Sequence, residues 1–152
     1  MAALAATVAF ATECGSDEPF PIVKVTGKIT YTDGSLIPAN GIVLVFFPQV
    51  PPLDDKTYPR HALAEVNVED GTFDTVTTHR YGDGLTAGKN KVMLRVSGGG
   101  STEQRPEVPT DGESLFTEST SQLVPSEYLT VQTTPLAVDT KDNPLTLLVE
   151  KP

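Results

Sequence analysis

The 152 residues carry a net charge of −9, with 20 acidic against 11 basic side chains, no Trp and a single Cys. That balance disfavours phosphate backbones and anionic membrane surfaces, which need clustered Lys and Arg, and one cysteine excludes an intramolecular disulfide. Thirteen Pro and twelve Gly argue against long helices, and the many Thr favour strands, so one all-β domain of about 105 residues is expected once a tail and a polar excursion are set aside.

Residues 1–13 form an apolar run shorter than the ~20 residues of a membrane-spanning helix. Its length suits the apolar region of a secretory signal. Cys14 follows, then the polar linker Gly15-Ser16-Asp17-Glu18-Pro19. This order resembles a bacterial lipoprotein signal, in which the cysteine after the apolar run is lipidated. No Lys or Arg precedes the run, and Glu13 stands where such signals carry a small residue. Two readings follow for residues 1–21: a truncated or atypical lipoprotein signal with Cys14 as the anchor, or an unstructured tail with a free thiol.

The body, residues 22–152, reads as strands and turns. Ile22 to Tyr31 alternates, with Val23, Val25, Ile29 and Tyr31 on one face. Leu36-Ile37 is an irregular bridge between two turn signals. Ile42 to Phe47 is uniformly apolar, as a central strand covered on both faces would be. Pro48, Pro51 and Pro52 end it, and a loop runs to His61. Ala62 to Glu69 alternates, with Ala64, Val66 and Val68 inward, and pairs through the Asp70-Gly71 turn with Thr72 to Thr77, where Phe73 is the core anchor. After a loop carrying Gly82-Asp83-Gly84, Val92, Leu94 and Val96 face inward from a strand over Lys91 to Ser97.

From about 98 to 122 the composition shifts to Gly, Ser, Thr, Glu and Pro. That segment is read as a mobile excursion, with Leu115 and Phe116 as local anchors. Val124 to Tyr128 restores apolar content, Pro135 to Val138 offers a short strand, and Leu145, Leu147 and Val149 face inward from the last. About seven strands result, arranged as a seven-stranded Greek-key β-sandwich.

Several motifs resemble those of the small carboxypeptidase-regulatory-like, transthyretin-like (prealbumin-like) domains found as lipoproteins in planctomycete-type bacteria. They are Val25-Thr26-Gly27-Lys28-Ile29-Thr30-Tyr31-Thr32-Asp33-Gly34, Gly41 to Pro48, Asp70-Gly71-Thr72-Phe73, Gly82-Asp83-Gly84-Leu85 with Gly88, and Val124 to Tyr128 followed by Thr134-Pro135-Leu136. Their order covers residues 22–150. Asn90 departs from the pattern, standing where that family commonly places an aromatic residue. The resemblance implies an exported, often lipid-anchored module with no catalytic role common to the family. One hydrolase class on this fold, the hydroxyisourate hydrolases, carries a C-terminal Tyr-Arg-Gly-Ser, whereas Val149-Glu150-Lys151-Pro152 stands here.

No Ser or Cys motif accompanies His61 or His79, so no base–nucleophile pair is legible and an enzyme is not expected. Asp54, Asp55, Asp70, Asp83, Asp139 and Asp142 are hard oxygen donors without calcium-loop spacing, and Asp before Gly is chiefly a turn former. No metal or cofactor is therefore expected. The sequence points to a noncatalytic, exported cell-envelope module, membrane-anchored if Cys14 is modified, with a structural or protein-interaction role toward an envelope partner and none toward nucleic acid. The alternative is a carbohydrate- or peptide-binding module. For either, Tyr58, His79, Tyr81 and Asp83 are the candidate loop contacts. An exposed edge strand pairing with a second copy or another protein is a further route to association.

Overall fold

The computed structural model describes residues 18–98 and 123–152. Cys14, nearly all of the expected excursion, and Leu115 and Phe116 with it lie outside the described residues. The described chain is all-β, with two single 3-10 turns at Ser126–Leu129 and Thr140–Asp142. Ten short strands follow one another: β1 Ile22–Val23, β2 Gly27–Tyr31, β3 Gly41–Pro48, β4 Ala62–Val66, β5 Thr72–Phe73, β6 Val76–Thr77, β7 Leu85–Thr86, β8 Lys89–Ser97, β9 Ala137–Asp139 and β10 Leu145–Val149. They form a five-stranded sheet in the order β6-β4-β3-β8-β9, a three-stranded sheet in the order β10-β2-β5, and a small β1-β7 ladder. All pairings are antiparallel except β10 with β2.

A single apolar cluster joins the strands of the two larger sheets. Ile42, Leu44 and Phe46 of β3, Ala62, Ala64 and Val66 of β4, and Val92, Leu94 and Val96 of β8 come from one side. Ile29 and Tyr31 of β2, Phe73 of β5 and Leu145, Leu147 and Val149 of β10 come from the other. Phe46 and Phe73 meet with ring centroids 6.0 Å apart. Tyr31 and Tyr128 add polar ties. The Tyr31 hydroxyl donates to the Leu123 carbonyl at 2.6 Å, and the Tyr128 hydroxyl accepts from the Glu150 N–H at 3.2 Å.

The observed strands number ten rather than about seven because continuous patterns split where the chain changes sheet. The expected strand Ile22 to Tyr31 divides at residues 24–26. Val23 is 37% exposed in the β1 ladder, while Val25, Ile29 and Tyr31 are buried. The Thr26 N–H turns to the Asn143 side chain at 2.9 Å, and β2 then starts at Gly27. A Cβ at Gly27 would lie 2.5 Å from both the Leu145 carbonyl oxygen and the Phe73 ring, so only glycine lets β2 enter between its two neighbours.

The expected hairpin of Ala62 to Glu69 with Thr72 to Thr77 is also redrawn. Phe73 and Val76 are both buried and three residues apart, a spacing that one strand of period two cannot place on one face. The chain therefore gives Thr72–Phe73 to β2 and returns Val76–Thr77 to β4. Strand β4 stops at Val66 because Asn67 begins a turn: its carbonyl accepts from Gly71 at 2.7 Å and its side chain from Glu69 at 3.0 Å.

Strand β3 is central, as its apolar run implies, but its two faces differ. Ile42, Leu44 and Phe46 point into the core, whereas Val43 and Phe47 are half-buried on the opposite face and Val45 alone there is closed off, at 1% exposure. Val45 is flanked in register by Leu63 and Met93. The alternation at Lys91 to Ser97 and Leu145 to Val149 stands as read, with β8 starting two residues earlier at Lys89. The expected strand Pro135 to Val138 is shifted, β9 at the sheet edge covering Ala137–Asp139.

Candidate functional site

The loop between β6 and β7 is built around one carboxylate. Asp83 Oδ1 accepts from the Thr78 N–H at 2.8 Å, and Oδ2 accepts from His79 and Arg80 N–H, each at 2.9 Å. Partial burial pushes the Asp83 carboxyl up, but the three backbone donors of Thr78, Arg80 and His79, with the nearby imidazole, together hold it below its ordinary value. The Thr78 hydroxyl donates to the Gly84 carbonyl at 2.7 Å and the Gly82 N–H donates to Thr77 Oγ1 at 3.1 Å, closing the loop on itself. Gly84 has φ +115° and lies so close to the Val23 carbonyl that a Cβ would collide with it.

This wiring fixes where the four predicted contact residues sit. Asp83 faces backbone donors in its own loop. His79 Nε2 lies 3.1 Å from the Glu18 carboxylate, tying the loop to the start of the described chain. Tyr81 is carried outward at the loop tip and is 89% exposed. Tyr58, 60% exposed, belongs to the separate 49–61 loop, where Asp54 accepts from the Lys56 N–H at 2.8 Å and the Thr57 hydroxyl at 3.0 Å. The structure thus gathers His79, Tyr81 and Asp83 in one loop and does not bring Tyr58 to the groove that Tyr81 borders. His61 stacks on Phe47 at 5.8 Å, against the sheet.

Tyr81 borders a groove of about 870 Å³ on the outer face of the five-stranded sheet. Val43 and Leu63 supply apolar lining, and the Asn67, Asp74 and Thr75 side chains come from the turns beside them. Glu65 and Arg95 also line it and stand in register on either side of Val43, about 10 Å apart across two strand spacings. Neither forms an ion pair among the described residues. No family model matches this chain, and no curated protein or solved structure does either.

The groove is what sequence reading missed. One signal was present: Leu63, 41% exposed, is a large apolar side chain in the outward register of a strand whose inward positions are Ala62, Ala64 and Val66. Four of the six aspartates weighed for metal binding, Asp54, Asp70, Asp83 and Asp139, serve local turns. Asp70 accepts from the Thr72 hydroxyl at 2.6 Å and its N–H at 2.9 Å, and Asp139 accepts from the Lys141 N–H at 3.0 Å. The hydroxyl and N–H of Thr72 hold the Asp70 carboxyl below its usual range. Among the described residues no three His, Cys, Asp or Glu side chains converge on one point.

Asn90 marks a second polar feature, inside the core. It is fully buried at the start of β8, and its Nδ2 donates to the Thr86 and Gly88 carbonyls at 3.0 and 3.1 Å. Its Oδ1 has no partner among the described residues. Thr140 closes the same corner: its Oγ1 accepts from the Gly88 N–H at 2.9 Å and its own N–H donates to the Gly88 carbonyl at 3.1 Å. The Asn90 carboxamide thus has a local structural purpose, as the donor to the Thr86 and Gly88 carbonyls.

Proposed function

We propose that this chain is a noncatalytic, exported cell-envelope module built on a transthyretin-like, Greek-key β-sandwich. Anchoring would run through Cys14 and partner contact through the outer face of the large sheet. The observation that carries the reading is the disposition of the chemistry-bearing side chains. His79 is paired with Glu18, His61 is stacked on Phe47, and both oxygens of Asp83 receive backbone donors. These residues serve architecture, and the outer face next to them carries exposed side chains over a groove. A three-stranded and a five-stranded sheet sharing one core support the sandwich. The order of apolar run, cysteine and polar linker supports the anchor, and among the described residues no helix is long and apolar enough to cross a membrane.

Detergent phase partition of the full chain expressed in a bacterium tests the anchor. Wild type is expected in the detergent phase and Cys14→Ala in the aqueous phase. Identical partition of the two contradicts it.

A second reading, a ligand-binding module, is favoured by one specific observation: Tyr81 stands nearly fully exposed at the border of a groove whose walls include Glu65, Arg95 and Asn67.

A further inference from the structure

We infer that the groove on the outer face of the five-stranded sheet is a binding site for a neutral saccharide chain, with Tyr81 as its stacking platform. The inference rests on the second reading above and names its ligand class.

Three features of the groove select that chemistry. The first is the aromatic ring. Tyr81 is 89% exposed on a loop whose backbone Asp83 braces with three hydrogen bonds, so a large aromatic side chain is presented to water from a braced loop. The C–H face of a pyranose covers such a ring, and the phenol hydroxyl remains solvated at its rim. The second is the polar lining. Glu65, Asp74, Asn67 and Arg95 end in planar carboxylate, carboxamide and guanidinium groups, each with two or more hydrogen-bonding atoms in one plane. Vicinal hydroxyl pairs on a sugar ring match that spacing, offering a donor and an acceptor from neighbouring carbons. The third is size. About 870 Å³ falls within the ~300–1,000 Å³ span of small-molecule sites.

Charge and edges decide against other occupants. Glu65 and Asp74 oppose a single Arg95 in the groove, and the whole chain carries −9, so a polyanionic glycan would be repelled. A peptide adding itself as a strand needs a row of free backbone groups. The sheet edge beside the groove is β6, only two residues long. A saccharide draws its hydrogen bonds from side chains and needs no edge.

The test is native affinity electrophoresis of the purified full chain in gels cast with hydroxyethyl cellulose, laminarin, galactomannan or mannan, with alginate as the polyanionic counterpart. Retardation of wild type in at least one neutral gel is expected. Tyr81→Ala should weaken it at least tenfold, Arg95→Ala at least threefold, and Tyr58→Ala should leave it unchanged. Thermal melting of each variant reports folding separately, and Tyr81 is exposed enough that its removal should leave the melt intact. Wild-type mobility unchanged in all neutral gels overturns the proposal. So does equal retardation of wild type and Tyr81→Ala, retardation in alginate alone, or a peptide selected from a display library that binds through Tyr81 while no glycan does. Detergent partition of Cys14→Ala reads the anchor independently, so failure of one leaves the other standing.

Discussion

The two faces of the five-stranded sheet are made by the same strands and obey different rules. On the inner face, Leu44, Phe46, Val92 and Leu94 are almost wholly removed from water and share one cluster with the opposing sheet. On the outer face, Val43, Leu63, Glu65 and Arg95 occupy the alternate positions, with Leu63 41% exposed. A strand's period of two lets one backbone serve both demands. The inner face carries stability, and the outer face is left to display side chains.

The sharpest way to break this comparison is to empty one inner position. Phe46→Ala removes a fully buried ring that meets Phe73 and should cost about 3–5 kcal/mol in urea unfolding. Val43→Ala, one step to the outer face, should cost well under half of that. Equal losses at the two positions would erase the distinction.

Gly84→Ala comes next. Its positive φ and the adjacent Val23 carbonyl leave no room for a methyl group, and a loss of about 2–3 kcal/mol is expected in the same measurement. Asn90→Ala follows, because it strands the Thr86 carbonyl inside the core, while the Gly88 carbonyl keeps the Thr140 N–H. About 1–3 kcal/mol should be lost, read as a drop in melting temperature.

Much of the inner face was legible from sequence. Leu145, Leu147 and Val149, and likewise Val92, Leu94 and Val96, announce their face by alternation alone, and the apolar run at Ile42 to Phe47 announces a central strand. What alternation cannot report is a change of sheet. Residues 72–77 look like one strand because Thr, Phe and Val all favour extended backbone, yet the three-residue step from Phe73 to Val76 forces a crossing. The loop of the candidate site was half legible. His79, Tyr81 and Asp83 were picked as contacts, and only Tyr81 is presented outward at the groove, since Asp83 braces the loop and His79 pairs with Glu18. Of the groove, only the outward Leu63 was legible, because Val43, Leu63, Asp74 and Arg95 come from four separate segments that only the fold brings together.

A smaller effect sharpens the role of Asp83. Its folded carboxyl titrates below its unfolded value, so its contribution is fully present above the unfolded value near 4 and is lost as pH falls through the folded one. Asp83→Asn should therefore lower stability by about 1–2 kcal/mol at pH 7. The gap between variant and wild type should narrow steadily below about pH 4. A pH-independent gap would mean that the carboxylate charge plays no part in bracing the loop.

The smallest expected change in stability belongs to Tyr81→Ala, within about 0.5 kcal/mol of wild type, as for any exposed side chain away from the core. That variant also gives the most direct test of the claim that the outer face is a recognition surface, when melting temperature and retardation in neutral-glycan gels are recorded on one preparation. An unchanged melt with retardation lost is the predicted result. A preparation of Tyr81→Ala that melts like wild type and is retarded like wild type would contradict it.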